Sequence, residues 1–292
     1  MTMAQSHYEN FPVASKLLNK SLRLPISAVY AFARSADDFA DEGEHSPAQR
    51  LSLLNIYENE LAGIERQLFQ FYSSHESKTQ DIFYYPSENL IFIALADVIY
   101  RYQIPIHLFY DLLHAFKQDV DTIRYSNFAE LLKYCQLSAN PVGRILLYLN
   151  KSATPENIHY SDAICTGLQL INFYQDIAQD MDENNRLYLP LDEMQALNIR
   201  ESDIQQHINN KSIQTLLKKQ LDRTHTLFHS GKPLCYKLSG RFAVEIRMIY
   251  LSGTCILQKL EQNTDNIYSR PRLNKKETLK IIGKGLFFKF LH

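Results

Sequence analysis

The stretch GLQLINFYQDIAQDMDENNRLYLP, residues Gly167–Pro190, decides how the rest of the chain reads. Gln169, Asn172, Asp176 and Asp180 recur at i, i+3, i+7 and i+11, which on a helix gathers all four within a sector of about 80°. The residues between them, Leu168, Leu170, Ile171, Phe173 and Ile177, are apolar and want burial. A buried carboxylate stripe is unfavourable unless a cation compensates it. Asp oxygens and Asn carbonyls are the donors that hard divalent cations take. The alternative is a solvated face of a surface helix.

A second stripe of the same kind lies in AVYAFARSADDFADE, residues 28–42. Tyr30, Arg34, Asp37 and Asp41 stand at i, i+4, i+7 and i+11, within about 60° of one line. Both stripes put polar anchors first and two carboxylates last. Facing each other across a bundle, they would bring four carboxylates to one cavity, where like charges raise each other's pKa unless cations intervene. Paired acidic motifs suit Mg²⁺ bridging to a diphosphate, because Mg²⁺ takes few carboxylates and fills its shell with phosphate oxygens. The metal set read here is Asp37, Asp41, Asn172, Asp176 and Asp180.

Composition excludes several other classes. The 292 residues are 45% hydrophobic, with only 9 Gly and 10 Pro, which argues for a helical core over a turn-rich β architecture. A formal net charge of −1 gives no global attraction to nucleic acid. Cys135, Cys165, Cys235 and Cys255 show no metal-type spacing and read as reduced thiols. The first residues carry no apolar signal core, and the most apolar run, Leu90–Tyr100, is half a membrane span and contains Asp97. A cytoplasmic location is expected, and no GxGxxG between strand and helix suggests nicotinamide.

Read in order, the chain is helix after helix from Phe11. Pro25 is expected to initiate the first acidic helix after a break at Ser21–Pro25, and Gly43–Pro47 to end it. Helices follow over Gln49–Tyr72, Leu90–Tyr102, Ile104–Val120 and Phe128–Asn150, the last kinked at Pro141. Lys151–His159 reads as a surface connection, with the central acidic helix starting near Asp162. Leu191–Ala196 and Asn209–Lys211 read as turns, and two long helices follow at Ile213–His229 and Gly240–Leu260. The expectation is one all-α domain spanning residues 1–292.

With YCQLSANPVG (Tyr134–Gly143), NRLYLP (Asn185–Pro190) and Asp119 within FKQDVDTIRY added to the two stripes, the whole chain resembles the squalene/phytoene synthase family. That resemblance implies a helical bundle of the type I isoprenoid synthase kind with a central cavity, Mg²⁺, and a prenyl diphosphate substrate. HYENFPVAS (His7–Ser15), LINFYQDIAQD and SANPVGR look like the branch found beside hopanoid synthesis, the hydroxysqualene synthases, understood to hydrate presqualene diphosphate. The resemblance further implies that Tyr30, Arg34 and Gln169 lie near the diphosphate and Tyr134 beside the reacting carbons. Arg186 and Tyr188 fall in a lid segment, while Tyr250 and Arg270 or Arg272 match a C-terminal diphosphate contact loosely. Ordinary readings stand beside these: an i, i+3 salt bridge from Arg34 to Asp37, a core tyrosine at position 134, and a basic surface loop at YSRPRL.

Three departures from condensing family members bear on the reaction. Gln175 stands where an Arg often precedes the second motif's first Asp. Glu9 and Pro12 replace a Ser- and Lys-rich segment, and Ser138–Pro141 replaces a Gly-containing one. Together they suggest that one diphosphate site is kept and a second lost, so that water captures the carbocation. Pro141 cannot donate to the Leu137 carbonyl, and Asn140 offers a donor and an acceptor. Both groups are read as holders of the reacting water, against the alternative that Asn140 faces solvent. The runner-up function is a transferase joining two farnesyl diphosphates.

The tail Leu279–Leu291 places Leu279, Ile282, Leu286 and Phe290 on one helical line, flanked by Lys280, Lys284 and Lys289. It fits either peripheral contact at the inner face of a membrane or a last helix packed on the bundle.

Overall fold

A computed structural model describes residues 20–74, 83–263 and 266–288; the N-terminal HYENFP segment, Lys289 and Phe290 lie outside them. Among the described residues the chain forms fourteen helices, and the only strand-like feature is an isolated bridge between Arg124 and Leu187. The all-α expectation holds. No helix among the described residues is long and apolar enough to cross a membrane. All four cysteines are free thiols.

The chain divides into two compact units, Met1–Asp121 with Arg144–Ala153, and Thr122–Gly143 with Thr154–His292. In the first, α1 (Lys20–Asp41) packs on α3 (Leu90–Tyr102) and α4 (His107–Asp121), and α2 (Pro47–Ser74) packs on α4. The core is aromatic. Phe32 of α1 meets Phe92 and Phe109 edge-on at 5.9 and 5.5 Å, the geometry that aromatic quadrupoles favour. Burying this face leaves the Tyr30–Asp41 side of α1 for polar work.

Pro25 does not initiate α1; the residues before it are already helical and it lies inside the helix. So near a helix start, proline removes only one backbone bond. The next helix begins where the sequence turns at Pro47, on a reciprocal cap. The Ser46 hydroxyl accepts from the Gln49 amide and the Gln49 side chain accepts from the Ser46 amide, an arrangement that satisfies two otherwise orphan donors.

In the second unit, α5 (Phe128–Ser138), the first turn of α6 (Asn140–Leu149, which from Arg144 on belongs to the first unit), α7 (Pro155–Gln175) and α8 (Ile177–Asn184) lead into short helices α9 (Leu191–Ala196) and α10 (Glu201–Gln205). They are followed by α11 (Lys211–Ser230), α12 (Leu234–Lys237), α13 (Gly240–Gln262) and α14 (Lys275–Leu286). Helix α7 is the axis of this unit, packing on α5, α11, α12 and α13. Phe228 of α11 is wedged between two glycines: a Cβ on Gly167 or on Gly253 would come within 2.7 Å of its side chain. Close approach of three helices at this level therefore requires those glycines.

Four further boundaries differ from the sequence reading. Helix α7 begins at Pro155, not near Asp162, because Thr154 caps it by accepting from the Asn157 amide at 3.2 Å and Pro155 occupies the first turn. Leu191–Ala196 is a helix, where a turn was expected. The Phe128–Asn150 helix is broken, not kinked: α5 stops at Ser138 and α6 starts at Asn140. Pro141 thereby falls in a first turn, where its missing N–H has no helical partner to lose. The fourth is at Asp176, where α7 gives way to α8.

Candidate active site

The second acidic stripe runs through the break at Asp176. Its backbone has φ −110° and ψ 17°, outside the helical range, yet hydrogen bonding carries on across it. The Asp176 amide donates to the Asn172 carbonyl at 2.9 Å and the Asp180 amide to the Asp176 carbonyl at 2.8 Å. Gln169, Asn172, Asp176 and Asp180 thus keep their helical spacing while the axis is re-aimed between the two carboxylates.

Two arginines answer these carboxylates. Arg270, from the segment between α13 and α14, meets Asp176 with both ends of its fork: Nη2 donates to Oδ2 at 2.9 Å, and Nε lies 2.5 Å from Oδ1. One hydrogen bond and one close ionic approach thus hold the pair. Asp180 is half-buried, and burial, reinforced by the charge of Asp176, pushes its carboxyl up to about 7, with Arg186 and Arg270 pulling the other way. The two carboxylates therefore lack the positive charge that would keep both ionised at neutral pH.

That shortfall is what a divalent cation supplies, and the oxygen donors Asn172, Asp176 and Asp180 suit a hard one. Among the described residues no three His, Cys, Asp or Glu side chains form a ready-made cage.

The first stripe is described within its own unit. Tyr30 is buried and Asp41 exposed. Arg34 bonds Asp37 at 3.1 Å, Asp38 at 2.6 Å and the Glu42 carboxylate. The i, i+3 pair read as the alternative for Arg34 is present, and it belongs to a larger fan. Asp38, off the stripe by helical angle, takes part because a long guanidinium reaches i+3 and i+4 together.

Beside Asp176 and Asp180 stands an aromatic wall. Tyr134 is buried in α5, its ring 6.1 Å from Phe173 of α7 and 6.2 Å from Tyr188. Phe173 and Tyr188 stack at 3.7 Å, 5° from parallel. Tyr125, absent from the sequence-based candidates although DTIRY was among the matched segments, completes the group at 5.5 Å from Tyr134 and 5.7 Å from Tyr188. The chain reaches this wall because Asn185 ends α8 in the left-handed region at φ 50°, which asparagine tolerates. Arg124 then clamps the Asn185 side chain at 2.9 Å and Glu201 at 2.8 Å. Backbone bonds from Leu187 to Ile123 and from Leu191 to Tyr125, both 3.0 Å, align the two segments.

Asn140 does not face solvent: it is 4% exposed, and its side-chain oxygen accepts from the Thr166 hydroxyl at 2.8 Å. Thr166 was not picked out by sequence, since nothing local in ICTGL marks it. Tyr250 is buried on α13 with its hydroxyl bonded to His229 Nδ1 and its ring stacked on Phe228 at 5.0 Å. Those contacts tie it to α11 and not to the acidic stripe. Gln169 and Arg186 are partly exposed.

Comparison with known proteins gives a consistent family. The squalene/phytoene synthase family model matches residues 4–277. The chain is 33% identical over 275 residues to a hydroxysqualene synthase of Zymomonas mobilis subsp. mobilis, spanning 93% of this chain and 84% of that one. It is likewise 33% identical over 270 residues to a hydroxysqualene synthase of Rhodopseudomonas palustris, spanning 92% and 85%. The crystal structure of squalene synthase HpnC from Alicyclobacillus acidocaldarius aligns with a TM-score of 0.76 at 29% identity, covering 91% of this chain and 92% of that one.

Proposed function

The chain belongs to the squalene/phytoene synthase family, and from that premise we propose that it converts presqualene diphosphate to hydroxysqualene with release of diphosphate. The C–O bond to diphosphate breaks, the leaving group carries off the electron pair, the cation rearranges, and a water oxygen forms the new C–O bond and loses a proton. No reductant enters this balance.

The observation that carries the reading is the use of Gln175. Its side-chain amide donates to the Pro271 carbonyl at 2.6 Å, so the position beside Asp176 serves a backbone tie and holds no cation for a second diphosphate. One diphosphate and no second prenyl donor is what hydration of an already coupled product requires. The two relatives named hydroxysqualene synthase support the same end.

Mg²⁺ held by Asp37 and Asp41 on one stripe, or by Asn172, Asp176 and Asp180 on the other, would supply charge to a departing diphosphate. Within the first unit Arg34 and Tyr30 are donors suited to phosphate oxygens, Arg34 with a two-pronged fork; within the second Gln169 offers an amide donor and Arg186 adds positive charge near Asp180. The aromatic faces of Tyr134, Phe173, Tyr188 and Tyr125 stabilise a cation while denying it bulk water. Asn140, its oxygen fixed by Thr166, keeps its amide hydrogens to orient the water that ends the reaction.

A second reading, coupling of two farnesyl diphosphates, draws on the name squalene synthase carried by the solved relative. Incubation with presqualene diphosphate, Mg²⁺ and no nicotinamide separates the two. Hydroxysqualene and diphosphate are expected, with farnesyl diphosphate left unconsumed in a parallel reaction. Consumption of farnesyl diphosphate, or squalene formed only with NADPH, overturns the proposal.

A further inference from the structure

Helix α14 packs with one side and leaves the other uncovered. Its inner side is fixed at three levels. Asn274 and Glu277 form a reciprocal cap at its start, and Glu277 bonds Lys259 of α13 at 2.8 Å. In the middle, Ile281 and Gly285 are buried, and a Cβ on Gly285 would meet Met248 Cγ at 2.7 Å. Just past the end, Phe288 is buried against Tyr236, ring centroids 5.1 Å apart, with the Arg247 guanidinium 5.7 Å from its ring. The helix cannot roll on α13 without breaking these contacts.

Its outward side is therefore a built surface. Leu279, Ile282, Leu286 and Phe287 are 69%, 37%, 52% and 63% exposed. At 100° per residue Leu279, Leu286 and Ile282 share one sector of about 60°, opposite Ile281 and Phe288. Lys276, Lys280 and Lys284, all exposed, step away from this sector on the side where Phe287 also projects, Lys276 nearest to it and Lys284 farthest round, while Lys275 stands within the sector at the start of the helix. The single acidic residue of the helix, Glu277, is taken up by Lys259. The face is apolar at its centre and positive along one edge and at the start of the helix.

We propose that this face of α14 docks on an anionic phospholipid bilayer, lying in the interface plane with Leu279, Ile282, Leu286 and Phe287 entering the acyl boundary. Charge complementarity selects the occupant. A second copy would bring the same lysines against their like, whereas anionic headgroups neutralise them while the apolar stripe is buried. The two readings of the tail that the sequence left open describe opposite sides of one helix. Docking here is independent of which prenyl diphosphate the chain uses.

The test uses the full chain and vesicles of phosphatidylcholine with or without one quarter phosphatidylglycerol. The chain has no tryptophan, so Phe287→Trp installs a sole reporter at the proposed contact. A blue shift and cosedimentation are expected with the anionic vesicles only, weakening as salt is raised. Replacing Lys276, Lys280 and Lys284 by Gln should lower partition by about fivefold per lysine, and Leu279→Ser with Leu286→Ser by at least tenfold. These side chains are exposed, so thermal unfolding should be unchanged. Equal binding to neutral vesicles, or binding indifferent to both sets of changes, overturns the proposal. So does a chain that ignores vesicles but forms dimers broken by Leu279→Ser, which would assign the face to a second copy.

Discussion

Phe173 and Tyr188 lie ring on ring, 3.7 Å apart and 5° from parallel, and join the acidic helix to the segment that follows it. The pair exists because Asn185 reverses the chain and Arg124 holds the reversal. If these faces stabilise a cation, Phe173→Leu keeps the apolar bulk but removes the π-face. A desolvated cation–π contact contributes about 2 kcal/mol, so single-turnover rates with presqualene diphosphate should fall by roughly 30-fold. Thermal unfolding should move by only a few degrees. An unchanged rate would place the wall outside the reaction.

Asp180 predicts a pH signature. Its carboxyl titrates at about 7 in the folded chain, against about 3.9 when unfolded. Between those values the folded chain holds a proton that the unfolded chain has lost, so stability falls as pH rises from about 4 to 7 and then levels. The penalty is at most about 4 kcal/mol. Asp180→Asn removes it. Melting curves of variant and wild type should therefore coincide near pH 4 and separate by several degrees in favour of the variant at pH 8. Separation that grows toward acid would contradict the assignment.

The metal assignment is tested by Asp37→Asn and Asp176→Asn, each expected to reduce turnover to background with the fold retained. Arg34 keeps Asp38 and Glu42 when Asp37 is neutralised, so α1 has no reason to unfold. Asp176→Asn releases one half of a partly exposed pair, an effect of about 1 kcal/mol on stability. Circular dichroism and a Mg²⁺ titration of activity provide the check. Near-normal turnover of either variant at limiting Mg²⁺ would remove these residues from the metal set.

Helix periodicity made most elements readable, because apolar spacing reports which face is buried wherever the helix is regular. Both stripes were visible for the same reason. What stayed hidden depends on backbone choices that periodicity does not encode. Pro141 could kink a helix or begin one, and the outcome rested on burial of Asn140 against Thr166, 26 residues away in sequence. The break at Asp176 keeps i to i−4 bonding and so leaves the stripe's spacing intact, invisible to a count of residues. Arg270 was legible as a cation but not as the partner of Asp176, since their pairing spans 94 residues. Tyr125 sat in a matched segment, yet its place in the aromatic wall follows from the bonds between residues 123–126 and 187–192.

The last prediction concerns position 175, where the proposed reaction separates from coupling. Gln175 ties down the segment that delivers Arg270, through the 2.6 Å bond to Pro271. Lys259 holds the next carbonyl, of Arg272, at 2.7 Å, and Tyr268 bonds the Ile208 carbonyl at 2.9 Å. Two substitutions dissect the role. Gln175→Leu removes one tie and adds no charge, so tryptic cleavage after Arg272 should accelerate while the chain stays folded. Gln175→Arg instead places a second cation, besides Arg270, near Asp176. A charge-assisted hydrogen bond to phosphate contributes about 1.5–3 kcal/mol, so a non-hydrolysable farnesyl diphosphate analogue should bind at least tenfold more tightly than to wild type. Hydration of presqualene diphosphate by this variant should slow when the analogue is added, because the analogue now competes for the site. If wild type and Gln175→Arg bind the analogue equally, the residue before Asp176 does not decide how many diphosphates the site accepts. The distinction between hydration and coupling must then reside elsewhere in the chain.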